Sequence, residues 1–170
     1  MNAFSNTRTP LAKRFFEEYD RDFHFARQDK KGGTTINSIM GDVPPKEIVW
    51  ERPIDHPDLI KIIPENPVLP GGTYNISLNY SIKIPNDEFT RYGYGNKGRY
   101  QLRYWFITPG VYDNGWQVYS HKNMDALYIP QLDLDIKFTL PSNLSAISSY
   151  TSEKIVPEGG EKTIHLNGKD

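Results

Sequence analysis

Two runs of strict alternation dominate the hydrophobic pattern of this chain. Over 73–84, Tyr74, Ile76, Leu78, Tyr80, Ile82 and Ile84 alternate with Thr73, Asn75, Ser77, Asn79, Ser81 and Lys83. Over 132–140, Leu132, Leu134, Ile136, Phe138 and Leu140 alternate with Asp133, Asp135, Lys137 and Thr139. Successive strand side chains point to opposite faces, so each run predicts an antiparallel strand with one buried and one solvated face. A third strand is expected over 99–108. There Leu102, Tyr104 and Phe106 share one face, and Arg103, Trp105 and Ile107 share the other. That second face is neither clean core nor clean solvent, which predicts a surface covered by another sheet or domain.

A different period opens the chain. Leu11, Phe15, Tyr19 and Phe23 recur every four residues behind Thr9-Pro10. A threonine N-cap followed by proline at the first helical position predicts a short helix whose apolar stripe docks on the sheet. Shorter strands are expected at 34–40, 48–50 and 59–63. A hairpin arm is expected at 116–119 and a short apolar segment at 124–129. Two closing strands, 147–156 and 163–166, flank the turn Pro157-Glu158-Gly159-Gly160. The expected fold is all-β, an antiparallel saddle-like β-sandwich with a short N-terminal helix. Residues 1–30 form the helical segment and 31–170 the sandwich, together one domain cut from a longer protein.

Composition narrows the function classes. A chain of 170 residues buries roughly 70% of its unfolded surface. Eleven tyrosines and eight phenylalanines favour pleated surfaces over helices. A formal net charge of −1 gives no electrostatic case for a nucleic-acid partner. With no cysteine, thiolate metal ligands and a cysteine nucleophile are excluded. No stretch approaches the ~20 apolar residues of a membrane span, so no membrane span is expected. The first residues lack the apolar core of a secretory signal. That fits either a cytoplasmic protein or one whose signal has been removed.

Candidate chemistry is sparse. Gly93-Tyr94-Gly95-Asn96-Lys97-Gly98 spells G-x-G-x-x-G, but that motif must open a helix, and a strand is expected next. It reads as a loop. Asp55-His56-Pro57-Asp58 has no metal spacing and suits a surface turn. Asp133 and Asp135, roughly 7 Å apart along one strand face, read as a solvated surface beside Lys137. His24, His56, His121 and His165 are scattered, and none belongs to H-E-x-x-H. No catalytic residue and no metal ligand is assigned. Asn75-Ile76-Ser77 and Asn143-Leu144-Ser145 are formal glycosylation sequons, two being near the chance number. The middle third is dense in aromatics, among them Tyr92, Tyr94, Tyr100, Tyr112, Trp116 and Tyr119. They fill a core or interface, or form a platform for sugars.

Several stretches, taken in order, resemble the N-terminal β-domain of aminopeptidase N-like gluzincin zinc metallopeptidases, particularly a divergent bacterial branch. They are LAKRFFEEYDRDFHFA, PVLPGGTYNISLNYSIKIP, FTRYG, YQLRYWFITPGVYD, NMDALY and DLDIKFTLPSNLSAIS. The resemblance spans about residues 11–154. It implies a non-catalytic domain that packs on its own C-terminal catalytic domain and helps shape the cleft for a peptide substrate. Zinc and H-E-x-x-H would belong to that second domain, leaving no cofactor in this chain. An extracytoplasmic location is also implied. The family's grip on a substrate amino group precedes an A-R-x-x-F-P-type segment, which 119–125 lacks; Gln117 or Asp125 is the stand-in. The surface expected to meet the catalytic domain comprises Arg103, Trp105, Ile107, Tyr112, Trp116 and Tyr119, and it should self-associate when isolated. The alternative is a free-standing carbohydrate-binding or adhesion module.

Overall fold

The computed structural model describes residues 5–18, 21–41, 44–103, 105–117 and 131–168, with the backbone alone over 152–158. It is all-β: strands in several antiparallel sheets, with two short α-helices. The chain divides into two compact units, 1–128 and 129–170.

The first unit opens with α1 (Pro10–Glu17) and α2 (Asp22–Phe25). Thr9 caps α1 as its sequence predicts, its Oγ1 accepting the Ala12 N–H at 3.3 Å. The four-residue stripe does not stay on one helix. α1 stops at Glu17, and Asp22 opens a second helix with its carboxylate in the first turn. Each helix buries only part of its apolar residues: Leu11, Ala12 and Phe23 are buried, whereas Phe16 and Phe25 are exposed. Ala12, Phe23 and Phe89 form one cluster, with Phe15 and Ala26 packed against it. Phe23 meets Phe89 edge-on at 5.0 Å, and the Lys31 ammonium lies 5.3 Å from the centre of the Phe23 ring. Tyr19 lies outside the described residues.

Five strands follow: β1 (Gly33–Gly41), β2 (Lys46–Glu47), β3 (Val49–Glu51), β4 (Lys61–Ile63) and β5 (Ile76–Lys83). The main sheet has the order β2-β1-β5. β1 and β5 run antiparallel from Gly33 opposite Lys83 to Gly41 opposite Ile76. The register shifts between Ile36 and Ser38, so Asn37 is the extra residue of a bulge, and its Nδ2 donates to Asn79 Oδ1 at 2.9 Å. Along β5 the expected alternation holds: Leu78, Tyr80 and Ile82 are half-buried, whereas Ser77, Asn79, Ser81 and Lys83 are exposed. β3 and β4 make a separate pair, with Trp50 opposite Ile62.

The expected strand over 99–108 is short. β6 (Gly93–Tyr94) pairs with β7 (Tyr100–Gln101), and the ladder ends at Gln101. The partner strand sets that limit, because Arg91 has a φ of 64° and Gly93 a φ of 147°, so the backbone turns out of the extended conformation just before Tyr94. The glycine-rich 93–98 segment is therefore a tight hairpin with a 3-10 turn at Asn96–Gly98, not the start of an α-helix. β8 (Val111–Tyr112) and β9 (Trp116–Gln117) form a second small hairpin.

The second unit is a three-stranded sheet of order β10-β12-β11, from β10 (Leu134–Pro141), β11 (Thr151–Glu158) and β12 (Glu161–Gly168). β11 and β12 are joined by Gly159-Gly160, with φ of 56° and 88°. Two central residues at positive φ are what a two-residue type I′ turn requires, and its twist matches that of the strands. β10 alternates as its sequence predicts, with Leu134, Ile136 and Phe138 half-buried, Leu140 buried, and Asp135, Lys137 and Thr139 exposed; Ile164, opposite Phe138 on β12, is buried too. On the polar face Thr139 and Thr163 share a 2.8 Å hydrogen bond, and His165 Nε2 meets Asp135 Oδ1. Asp135 is thus paired to a histidine two positions off its direct cross-strand partner, Asn167.

Candidate interaction surface

Arg103, Trp105 and Ile107, expected on one strand face, lie beyond the paired strand, because the ladder that would have fixed their alternation stops at Gln101. Each of the three is placed by a different contact. Arg103 Nη1 donates to the Tyr92 hydroxyl at 3.0 Å, and its guanidinium carbon sits 5.5 Å from the centre of that ring. Trp105 is half-buried and meets Phe106 edge-on at 5.3 Å. Ile107 is half-buried too, and its backbone N–H reaches the Tyr80 hydroxyl at 3.4 Å, attaching this segment to β5.

Tyr112 and Trp116 differ from the other three. They stand directly opposite each other across the β8–β9 hairpin, their ring centres 5.2 Å apart and their planes at 76°. Both remain largely in solvent, 67% and 65% exposed. The loop that presents them is braced. Asp113 N–H donates to Gly115 O at 3.0 Å, and Gln117 Nε2 donates to Asp113 O at 2.9 Å. Gly110 lies beside the indole, where an added Cβ would be in ordinary contact with Trp116 Cε3 at 3.5 Å. The pair is therefore a fixed apolar projection. Its signal in the sequence is Asn114-Gly115, the strongest short-range mark of a hairpin, with Asn114 at a φ of 50°. Expecting a hairpin arm only at 116–119 missed the Val111–Tyr112 side. Gln117, one stand-in for an amino-group anchor, commits its amide nitrogen to this turn.

Tyr119 lies outside the described residues, as do Tyr104, Asp125 and the apolar segment over 124–129. Among the described residues, no three His, Asp or Glu side chains come close enough together to hold a metal ion. No described helix is long and apolar enough to cross a membrane. Asp55 is exposed and His56 half-buried in the 53–59 turn, and the His56 Nδ1 is buried without a hydrogen-bond partner. The charged groups with displaced titration are paired or desolvated rather than gathered in a cleft. Lys46 is raised and Glu65 lowered by the hydrogen bond they share, Lys30 is raised by its bond to Glu88, and burial lowers Arg52.

No protein-family model matches the sequence, and no curated protein or solved structure matches it.

Proposed function

We propose that this chain is a non-catalytic β-domain of a gluzincin-type zinc metallopeptidase. In this reading it packs on the catalytic domain and helps form one wall of the peptide cleft. The observation that carries the contact surface is the Tyr112–Trp116 pair. Two large aromatic rings held rigidly and two-thirds exposed are costly for a free surface, and they are the residue types enriched at interface hot spots. Trp105 and Ile107 extend the half-buried apolar surface of the same stretch, and Arg103 supplies a cation held against Tyr92. The link to metallopeptidases rests on the ordered sequence stretches quoted above. Zinc belongs to the catalytic domain, and no chemical step is assigned to this chain.

The same two rings bear on the alternative, a carbohydrate-binding or adhesion module. A platform for an extended sugar chain needs roughly coplanar faces. At 76° the two rings cannot both stack on neighbouring sugar units, so the geometry favours insertion into a partner's apolar pocket.

The test has two steps. The reading frame beyond Asp170 is read for H-E-x-x-H, and the encoded domain is then titrated with this chain. Binding should change the fluorescence of Trp116. Trp116→Ala should weaken it by about 2 kcal/mol or more, the cost of truncating a hot-spot residue, without altering the fold. The chain alone should show no peptidase turnover with or without zinc. A frame lacking the motif, zinc-dependent turnover by the purified chain, or oligosaccharide binding lost in W116A would each overturn the proposal.

A further inference from the structure

We propose that the free edge of β5 pairs with β5 of a second copy of this chain, antiparallel about a two-fold axis at Asn79. The result is one continuous sheet of order β2-β1-β5-β5-β1-β2. Among the described strands β5 has a single neighbour, β1, although it is eight residues long. A long strand edge offers a row of unpaired N–H and C=O groups, and proteins that must stay apart blunt it with charges, proline or a bulge. Among the described strands, the outer edges of the second unit's sheet are blunted in that way, and the far edge of β1 is interrupted by its bulge at Asn37. β10 carries Asp135 and Lys137 and ends in Pro141, while β11 contains Glu153, Lys154 and Pro157 and has a register shift after Glu153. β5 has no proline, and its only charge is the terminal Lys83, whose ammonium is turned back onto the Gln28 carbonyl at 2.8 Å. The bulge of the main sheet lies on β1, away from this edge.

The strand is also complementary to itself. Residues opposed across an antiparallel pair must lie on the same face, so the sum of their numbers is even. With Asn79 on the axis, Ile76 meets Ile82 of the second copy, and Leu78 meets Tyr80. On the other face Ser77 meets Ser81, Asn79 meets Asn79, and Lys83 meets Asn75. Apolar residues face apolar ones, hydrogen-bonding residues face each other, and no like charges are opposed. The apolar side has something to gain, since Ile76 is 40% exposed and its neighbours on that face are only half-buried. Cross-strand pairs of this kind are the unit that stabilises a sheet.

Sedimentation velocity over a wide range of micromolar concentration should show a monomer–dimer equilibrium. Hydrogen exchange in 76–83 should slow as concentration rises. Ser77→Lys with Ser81→Lys opposes two lysine pairs across the axis and should weaken the dimer about tenfold or more. Ser77→Lys with Ser81→Glu turns both contacts into ion pairs and should keep it. Both serines are exposed, and circular dichroism checks that each variant folds. A strictly monomeric wild type overturns the proposal, including the case in which this edge serves a peptide from another protein. So does a dimer indifferent to the double lysine variant, or one lost equally in both variants.

Discussion

Gly93→Ala is the substitution with the largest effect that the structure predicts for a single methyl group. Gly93 is buried and has a φ of 147°, a conformation that a residue with a Cβ adopts only under strain. An added Cβ would overlap the Pro85 carbonyl oxygen and lie 2.9 Å from the carbonyl carbon of Asn86. Both atoms are backbone and cannot rotate aside. Relief requires the 85–87 and 93–94 segments to part, which breaks the bonds from Tyr94 N–H to Pro85 O (2.9 Å) and from Asp87 N–H to Tyr94 O (3.0 Å). Backbone strain of this kind costs about 1–3 kcal/mol, and each lost hydrogen bond about 0.5–1.5 kcal/mol net. The expected destabilisation is therefore roughly 2–6 kcal/mol. It also reaches the core, because Phe89 lies on the same loop and packs on Phe23. Urea unfolding followed by tryptophan fluorescence is the suitable assay, since Trp50, Trp105 and Trp116 all fall in the first unit. Gly98→Ala is the control. Its φ of 69° is also left-handed, but an added Cβ there meets no atom within 4 Å, so it should lose only about 1 kcal/mol. A Gly93→Ala variant no less stable than Gly98→Ala would refute the reasoning.

Other expectations are smaller in scope. Phe23→Ala removes a ring that is 1% exposed and touches Phe89 and Lys31, so urea unfolding should show a loss of about 3–5 kcal/mol. Gly159→Asn suits the first position of a type I′ turn and should raise the stability of the second unit by about 0.5 kcal/mol, while Gly160→Val should lower it, both read by thermal circular dichroism. The exposed Lys46–Glu65 pair predicts a pH dependence of definite sign. Glu65 is held below its usual range, so its contribution is present above the unfolded carboxylate value and fades as pH falls through the lowered one. Lys46 is held above its usual range, so its contribution fades only as pH rises through the raised one. Comparing Glu65→Gln with the wild type should thus give a flat difference at neutral pH that shrinks in acid, in strong alkali and in high salt.

What the sequence discloses is what a single strand or turn decides for itself. Alternation along Ile76–Lys83 and Leu134–Pro141, the Thr9 cap and the Gly159-Gly160 turn are local, and the structure has all four. Pairing is not local. Nothing within 76–83 says that its partner is Gly33–Gly41, or that Asn37 is the extra residue whose amide then binds Asn79. The same limit explains the candidate surface. The alternation of Arg103, Trp105 and Ile107 would define a face only on a paired strand, and the positive φ of Arg91 and Gly93 ends that pairing early. Arg103 is drawn instead to Tyr92, and Ile107 to Tyr80, contacts spanning 11 and 27 residues. Tyr112 and Trp116 come together because their contact needs only three intervening residues, and Asp113-Asn114-Gly115 encodes the turn between them. An exposed aromatic pair is therefore specified locally and survives whatever the longer-range packing does. A mutation that loosens the main sheet should leave the Tyr112–Trp116 hairpin formed, whereas replacing Asn114-Gly115 with two valines should splay the rings while β1 and β5 stay paired. The near-ultraviolet dichroism of the coupled rings separates the two cases: its loss in the sheet mutant, or its persistence in the turn mutant, would mean that the pair is held by tertiary packing after all.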